Sequence, residues 1–103
     1  MSYANPIERA ELISGFRALA DYLEVNPDIP APYYADVYAF PPNGECAQMR
    51  GEVDTVAELL GKQAHERAGG RQYTVTRSFG PVGYHAVAIC KQPCHADAEE
   101  ETE

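Results

Sequence analysis

The chain has 103 residues, 45% of them hydrophobic, with 16 acidic side chains against eight Lys and Arg, for a formal charge of −8. That length suits one domain with one modest core, and no apolar run approaches the roughly 20 residues that a bilayer crossing requires. An acidic balance of this size also argues against nucleic acid as a partner, since a polyanion is repelled by phosphates.

The opening stretch MSYANPIERAEL has no basic segment followed by an apolar one, so it does not read as a secretory signal. Three cysteines, Cys46, Cys90 and Cys94, leave one unpaired in any disulfide scheme. Together these features lead us to expect free thiols in a cytoplasmic protein. The charge is unevenly spread. Residues 1–61 carry three arginines against ten acids (−7), residues 62–95 five cations against Glu66 (+4), and residues 96–103 five acids (−5). A local positive face can therefore stand beside a negative one.

In chain order, NPIERAELISGFRALADYLEVNP predicts the first helix. Asn5 suits the N-cap, Pro6 the first helical position, and Glu8 completes a capping box. Leu12, Phe16, Leu19 and Leu23, widened by Ile13 and Ala20, form a stripe expected to face a core. Asn26-Pro27 ends the helix, because a residue before proline avoids the α region. DIPAPYYAD is an extended connector. YYADVYAF then alternates as a strand, with Tyr34, Asp36, Tyr38 and Phe40 on one side. PPNGE is a turn. GEVDTVAELLG predicts the second helix, with Val53, Val56, Ala57 and Leu60 on one face and Gly61 as its stop. KQAHERAGG prolongs that helix or forms a loop, and Gly69-Gly70 ends it. QYTVTRSF and YHAVAIC, joined through GPVG, read as a hairpin.

The order is α-β-α-β-β. The economical packing is an α+β domain over residues 1–95, with a three-stranded sheet and two helices on one face. The strand order stays open. A first strand beside the second would be parallel, through a right-handed crossover, and a first strand beside the third would be antiparallel. Residues 96–103 are too polar to bury and should form a disordered acidic tail.

The segments LADYLEVNPDIPAP, EVDTVAELLG and, most specifically, YTVTRSFGPVGYHAVAI resemble a family of small uncharacterised proteins from actinobacteria and their mobile elements. The resemblance covers most of residues 12–89. It implies a cytoplasmic single domain and carries no activity or site residue with it.

Several clusters bear on chemistry. CKQPCH places Cys90, Cys94 and His95 within six residues, and a cysteine spacing of three intervening residues is compatible with half of a zinc site. No second ligand pair accompanies it, so the leading reading packs Cys90 as a small hydrophobe and expects no cofactor. A Cys46 pairing with His65 or His85 has no catalytic signature around it. His85 alternates with Val87 and Ile89, which favours a hydrogen-bonded structural histidine. Tyr34, Tyr38 and Phe40 share one strand face. Exposed, they would stack bases or anchor a protein, but the favoured arrangement packs them under the helices, as the largest core volume available. Lys62, Arg67, Arg71 and Arg77 form a basic segment on which the acidic tail could fold back, in competition with an anionic partner.

The expectation is a non-catalytic protein-interaction or regulatory accessory module, possible as a homodimer through a sheet edge, with no membrane role. One alternative is a nucleic-acid accessory using Lys62, Arg67, Arg71, Arg77 and the tyrosines. Another is a metal or thiol protein using Cys90, Cys94 and His95.

Overall fold

The computed structural model describes residues 3–90. They divide into two compact units, one spanning residues 4–33, the other holding Tyr3 and the chain from Tyr34 onward. No helix among them is long and apolar enough to cross a membrane.

The first unit contains helix α1, Pro6–Val25. Its start is the predicted capping box. The Glu8 amide donates to Asn5 Oδ1 at 2.8 Å, and the Asn5 amide donates to Glu8 Oε1 at 2.9 Å. At the other end the Asn26 backbone and side-chain amides both donate to the Tyr22 carbonyl, which satisfies one of the helix's orphan acceptors. The expected burial of its apolar stripe is not found. Leu12, Phe16 and Leu19 remain about half exposed, and no residue of α1 is buried. Apolar spacing identifies a face that seeks cover and does not say what covers it.

The second unit runs β1 (Ala35–Ala39), α2 (Cys46–Leu60), β2 (His65–Arg67), β3 (Gln72–Phe79) and β4 (Val82–Ile89), with a 3-10 turn at Ala68–Gly70. The α+β class holds, but the sheet has four strands in the order β1-β4-β3-β2, where three were expected. Of the predicted two-helix layer, α2 is the helix whose packing on β3 and β4 is observed.

β2 is the unforeseen strand. It pairs antiparallel with β3, His65 opposite Thr74 and Arg67 opposite Gln72. Three successive residues at positive φ, Ala68, Gly69 and Gly70, turn the chain between them, and the glycines adopt that region without the Cβ penalty. The extra strand adds one reversal of direction. β1 and β4 therefore pair in parallel, Ala35 opposite Val82 and Ala39 opposite Ala86, where a first strand beside the last was expected to be antiparallel. The predicted hairpin forms, but its turn is two residues long where GPVG was expected to connect the strands, and β4 starts at Val82. Phe79 pairs with Val82 across Gly80-Pro81, and Gly80 at φ 61° followed by proline gives the sign pattern of a type II′ turn.

α2 begins about a turn earlier than its sequence signal, because Met49 and Cys46 continue the apolar spacing of Val53, Ala57 and Leu60. It stops at Gly61, which is left-handed at φ 67°. Its buried face, Val53 and Ala57, lies against Val75, Ala86 and Ala88. Alternation along β4 puts Tyr84, Ala86, Ala88 and Cys90 on this covered side. Cys90 is bonded to Cys46 in the first turn of α2, with 5.5 Å between Cα atoms. The free-thiol expectation is thus corrected for both residues, and with it the reading of Cys90 as a packed thiol. The thiol argument for a reducing compartment goes too, since disulfides persist mainly in oxidising ones. Cys94, His95 and the acidic tail lie outside the described residues.

A polar rim ties α2 to the strands. Arg50 pairs with Glu66 at 2.7 Å and lies over the Tyr73 ring, 4.1 Å from its centroid. The Tyr73 hydroxyl donates to Asp54 Oδ1. That hydrogen bond, aided by burial, raises the Tyr73 pKa above its ordinary 10.0. A raised folded-state value means that the folded form holds its proton more tightly than the unfolded form. The contribution is complete below pH ~10 and is lost as pH rises through the folded value. Unfolding midpoints measured from pH 8 upward should therefore fall above pH ~10, and Tyr73→Phe should flatten the decline. Tyr3, also raised, chiefly by burial, leaves a residual slope. An alkaline limb identical in Tyr73→Phe would show that Tyr73 contributes nothing to it.

Candidate functional site

The face of the sheet opposite α2 is built by the other alternation. From β4 it carries His85, Val87 and Ile89, from β3 Thr74 and Thr76, and from β1 Asp36 and Tyr38, with Phe40 just beyond. This overturns the favoured arrangement of the aromatics. Tyr38 and Phe40 stand on the face that α2 leaves uncovered, and the alanine and valine side takes the helix. α2 packs closely on small side chains such as Ala86 and Ala88, with Tyr73 and Tyr84 packed beside them. Tyr84, which the sequence left as a possible companion, packs with the core on the other face. Tyr34 precedes β1 and is exposed.

At the centre of this face His85 links three strands. Its Nε2 is 2.9 Å from Asp36 Oδ1 on β1, and its Nδ1 is 2.7 Å from Thr76 Oγ1 on β3. The Tyr38 ring stacks on the imidazole, with centroids 4.9 Å apart and planes 21° from parallel. Tyr38 also stacks toward Phe40, at 6.2 Å. Gly83 makes room for this arrangement. A Cβ there would meet Asp36 Oδ1 at 2.9 Å and His85 Nε2 at 3.0 Å. His85 is hydrogen-bonded on both sides, as the alternation suggested. Both ring nitrogens are engaged within the chain, so the imidazole ties β4 to β1 and β3.

Beside this cluster lies a cavity of about 320 Å³, open on one side. Phe40, Val87 and Ile89 give it an apolar wall, and Arg67, Gln72 and Thr74 a polar one. The basic segment does not converge here. Arg67 borders the uncovered face. Arg77 stands on the other side of β3, donating to the Leu60 carbonyl at 3.2 Å and approaching the Phe79 ring. Arg71 follows the 3-10 turn, where its carbonyl accepts from the Cys90 amide. Lys62 follows the end of α2, with its amide bonded to the Ala57 carbonyl.

Among the described residues no group of three or more His, Cys, Asp or Glu side chains is placed to hold a metal ion. Cys90, a ligand in the metal and thiol reading, is committed to Cys46. What sequence reasoning missed is the Asp36–His85–Thr76 chain, whose outer members are separated from His85 by 49 and nine positions. Period-two alternation did place each of these residues on one side of its own strand, and only the register brings the three sides together. No protein-family model matches this chain, and no curated protein or solved structure matches it.

Proposed function

We propose that the chain acts by binding a protein partner, without catalysis, and that the uncovered sheet face is its working surface. The observation that carries this reading is the exposure of large apolar and aromatic side chains on that face. Tyr38 and Ile89 are each 54% exposed, beside Phe40, on a platform held by the His85 hydrogen bonds. Aromatic anchors with a polar surround are what interface centres are made of. A protein partner is favoured over nucleic acid because Arg67 and Arg77 stand on opposite sides of the sheet and do not form one phosphate-tracking surface. A second copy of the chain is one form such a partner takes, with β1 or β2, the two sheet edges, extending the contact.

The test is site-specific photo-cross-linking in the source cells. A photoreactive side chain at position 38 should capture a discrete partner. The same group at the exposed Glu58 on α2 should not, and Ile89→Lys should reduce capture at least tenfold, because it sets a charge in the centre of the contact. Equal capture from both positions, or capture indifferent to Ile89→Lys, would remove this face from the function.

A further inference from the structure

The cavity beside Tyr38 is bordered by an exposed cation, Arg67, and a buried hydroxyl, that of Thr74. The Arg67 guanidinium makes no hydrogen bond or ion pair among the described residues. Thr74 is only 7% exposed, and its Oγ1 is enclosed without a hydrogen-bond partner among the described residues. Buried hydroxyls are ordinarily satisfied, and one left alone costs stability. Thr74 pairs with His65 on one side and Val87 on the other, and Gln72 pairs with Arg67. The cation, the amide and the hydroxyl thus come from adjacent positions of β2 and β3 on the same face. Beside them Val87 and Ile89, the β4 partners of Thr74 and Gln72, supply apolar surface together with Phe40.

We propose that this cavity binds a small organic acid with a planar, apolar body. Arg67 takes the carboxylate through its two-pronged guanidinium, a geometry suited to that group. Thr74, by rotation about Cα–Cβ, turns its hydroxyl into the cavity and donates to the same anion. The planar body lies along Phe40, Val87 and Ile89, next to the Tyr38–His85 stack. A volume of about 320 Å³ is at the small end of ligand cavities, which limits the guest to one or two rings. This inference rests on the uncovered face being the working surface, and it adds a ligand that would sit within the contact area of the protein partner.

Calorimetry and amide NMR on the full chain test it, with phenylacetate and 1-naphthylacetate as probes and phenylacetamide as the uncharged counterpart. The acids should bind, shifting the amides of residues 72–74 and 85–89, and phenylacetamide should bind about tenfold more weakly than phenylacetate. Arg67→Met, which keeps the aliphatic stem, should cost the acids about tenfold. Thr74→Val should weaken the acids several-fold while raising the melting temperature, because it removes the unsatisfied hydroxyl. A purely structural threonine would not give that opposed pair of effects. The proposal falls if acid and amide bind equally, if neither shifts those amides at about 10 mM, or if Arg67→Met leaves the affinity unchanged. Cross-linking from position 38 that persists while no acid binds would keep the protein-binding face and discard only this ligand.

Discussion

Reduction of the Cys46–Cys90 bond, or its removal by Cys90→Ser, should cost this protein about 4 kcal/mol of stability. The estimate is the loop-closure entropy for a cross-link across 44 positions. The bond fastens the first turn of α2 to the end of β4. It therefore ties α2 to one of the sheet's two inner strands. Its weight is large because the core is thin. Val53 and Val75 are its largest fully buried side chains, and the rest is mostly alanine. Small cores of this kind depend on staples. Guanidinium unfolding with and without reductant measures the effect, and peptide mapping of the oxidised protein should recover Cys46 joined to Cys90. Cys94→Ser should leave the midpoint unchanged. If Cys94→Ser reproduced the loss, the bond would belong to the nearby Cys90–Cys94 pair and the assignment would be wrong.

The second large effect is expected at Val53. It is fully buried and meets Val75, Ala86 and Ala88. Val53→Ala should lose about 2–3 kcal/mol, from the transfer of the removed methyl groups and the cavity left under α2. Leu59, six residues on, is larger and more hydrophobic, but it is 82% exposed. Leu59→Ala should change stability by less than about 0.5 kcal/mol. The contrast fixes which side of α2 faces the sheet. Equal losses at both positions would show the helix to be rotated from the placement described above. Val53→Ala and Val75→Ala remove parts of one contact, so their combined loss should fall short of the sum.

The parts of this fold legible in the sequence are those set by neighbours in the chain. Asn5, Pro6 and Glu8 announced the start of α1, Gly61 the end of α2, and Gly80-Pro81 the hairpin. Each acts through backbone geometry within a few residues. β2 escaped notice because His-Glu-Arg has no β-branched or aromatic residue and too few positions to show alternation. The disulfide escaped because its partners are remote, while the local CKQPCH spacing drew attention to Cys94. The cluster around His85 was half visible. The alternation in YHAVAIC put His85 with Val87 and Ile89, and that in YYADVYAF put Asp36 with Tyr38. Which of two faces the helix covers depends on the whole set of side chains on each face, and volume alone gave the opposite answer for Tyr38 and Phe40.

The parallel pairing of β1 with β4 has a kinetic consequence. Asp36 reaches His85 across 49 positions, whereas the β3–β4 hairpin closes through two residues. Closing the longer loop costs more chain entropy before any contact rewards it, so β1 should join a sheet already assembled from its C-terminal strands. Tyr38 arrives with it. On a ribosome, β1 emerges first and must wait for the rest of the chain, so the surface we assign to recognition is the last to be completed.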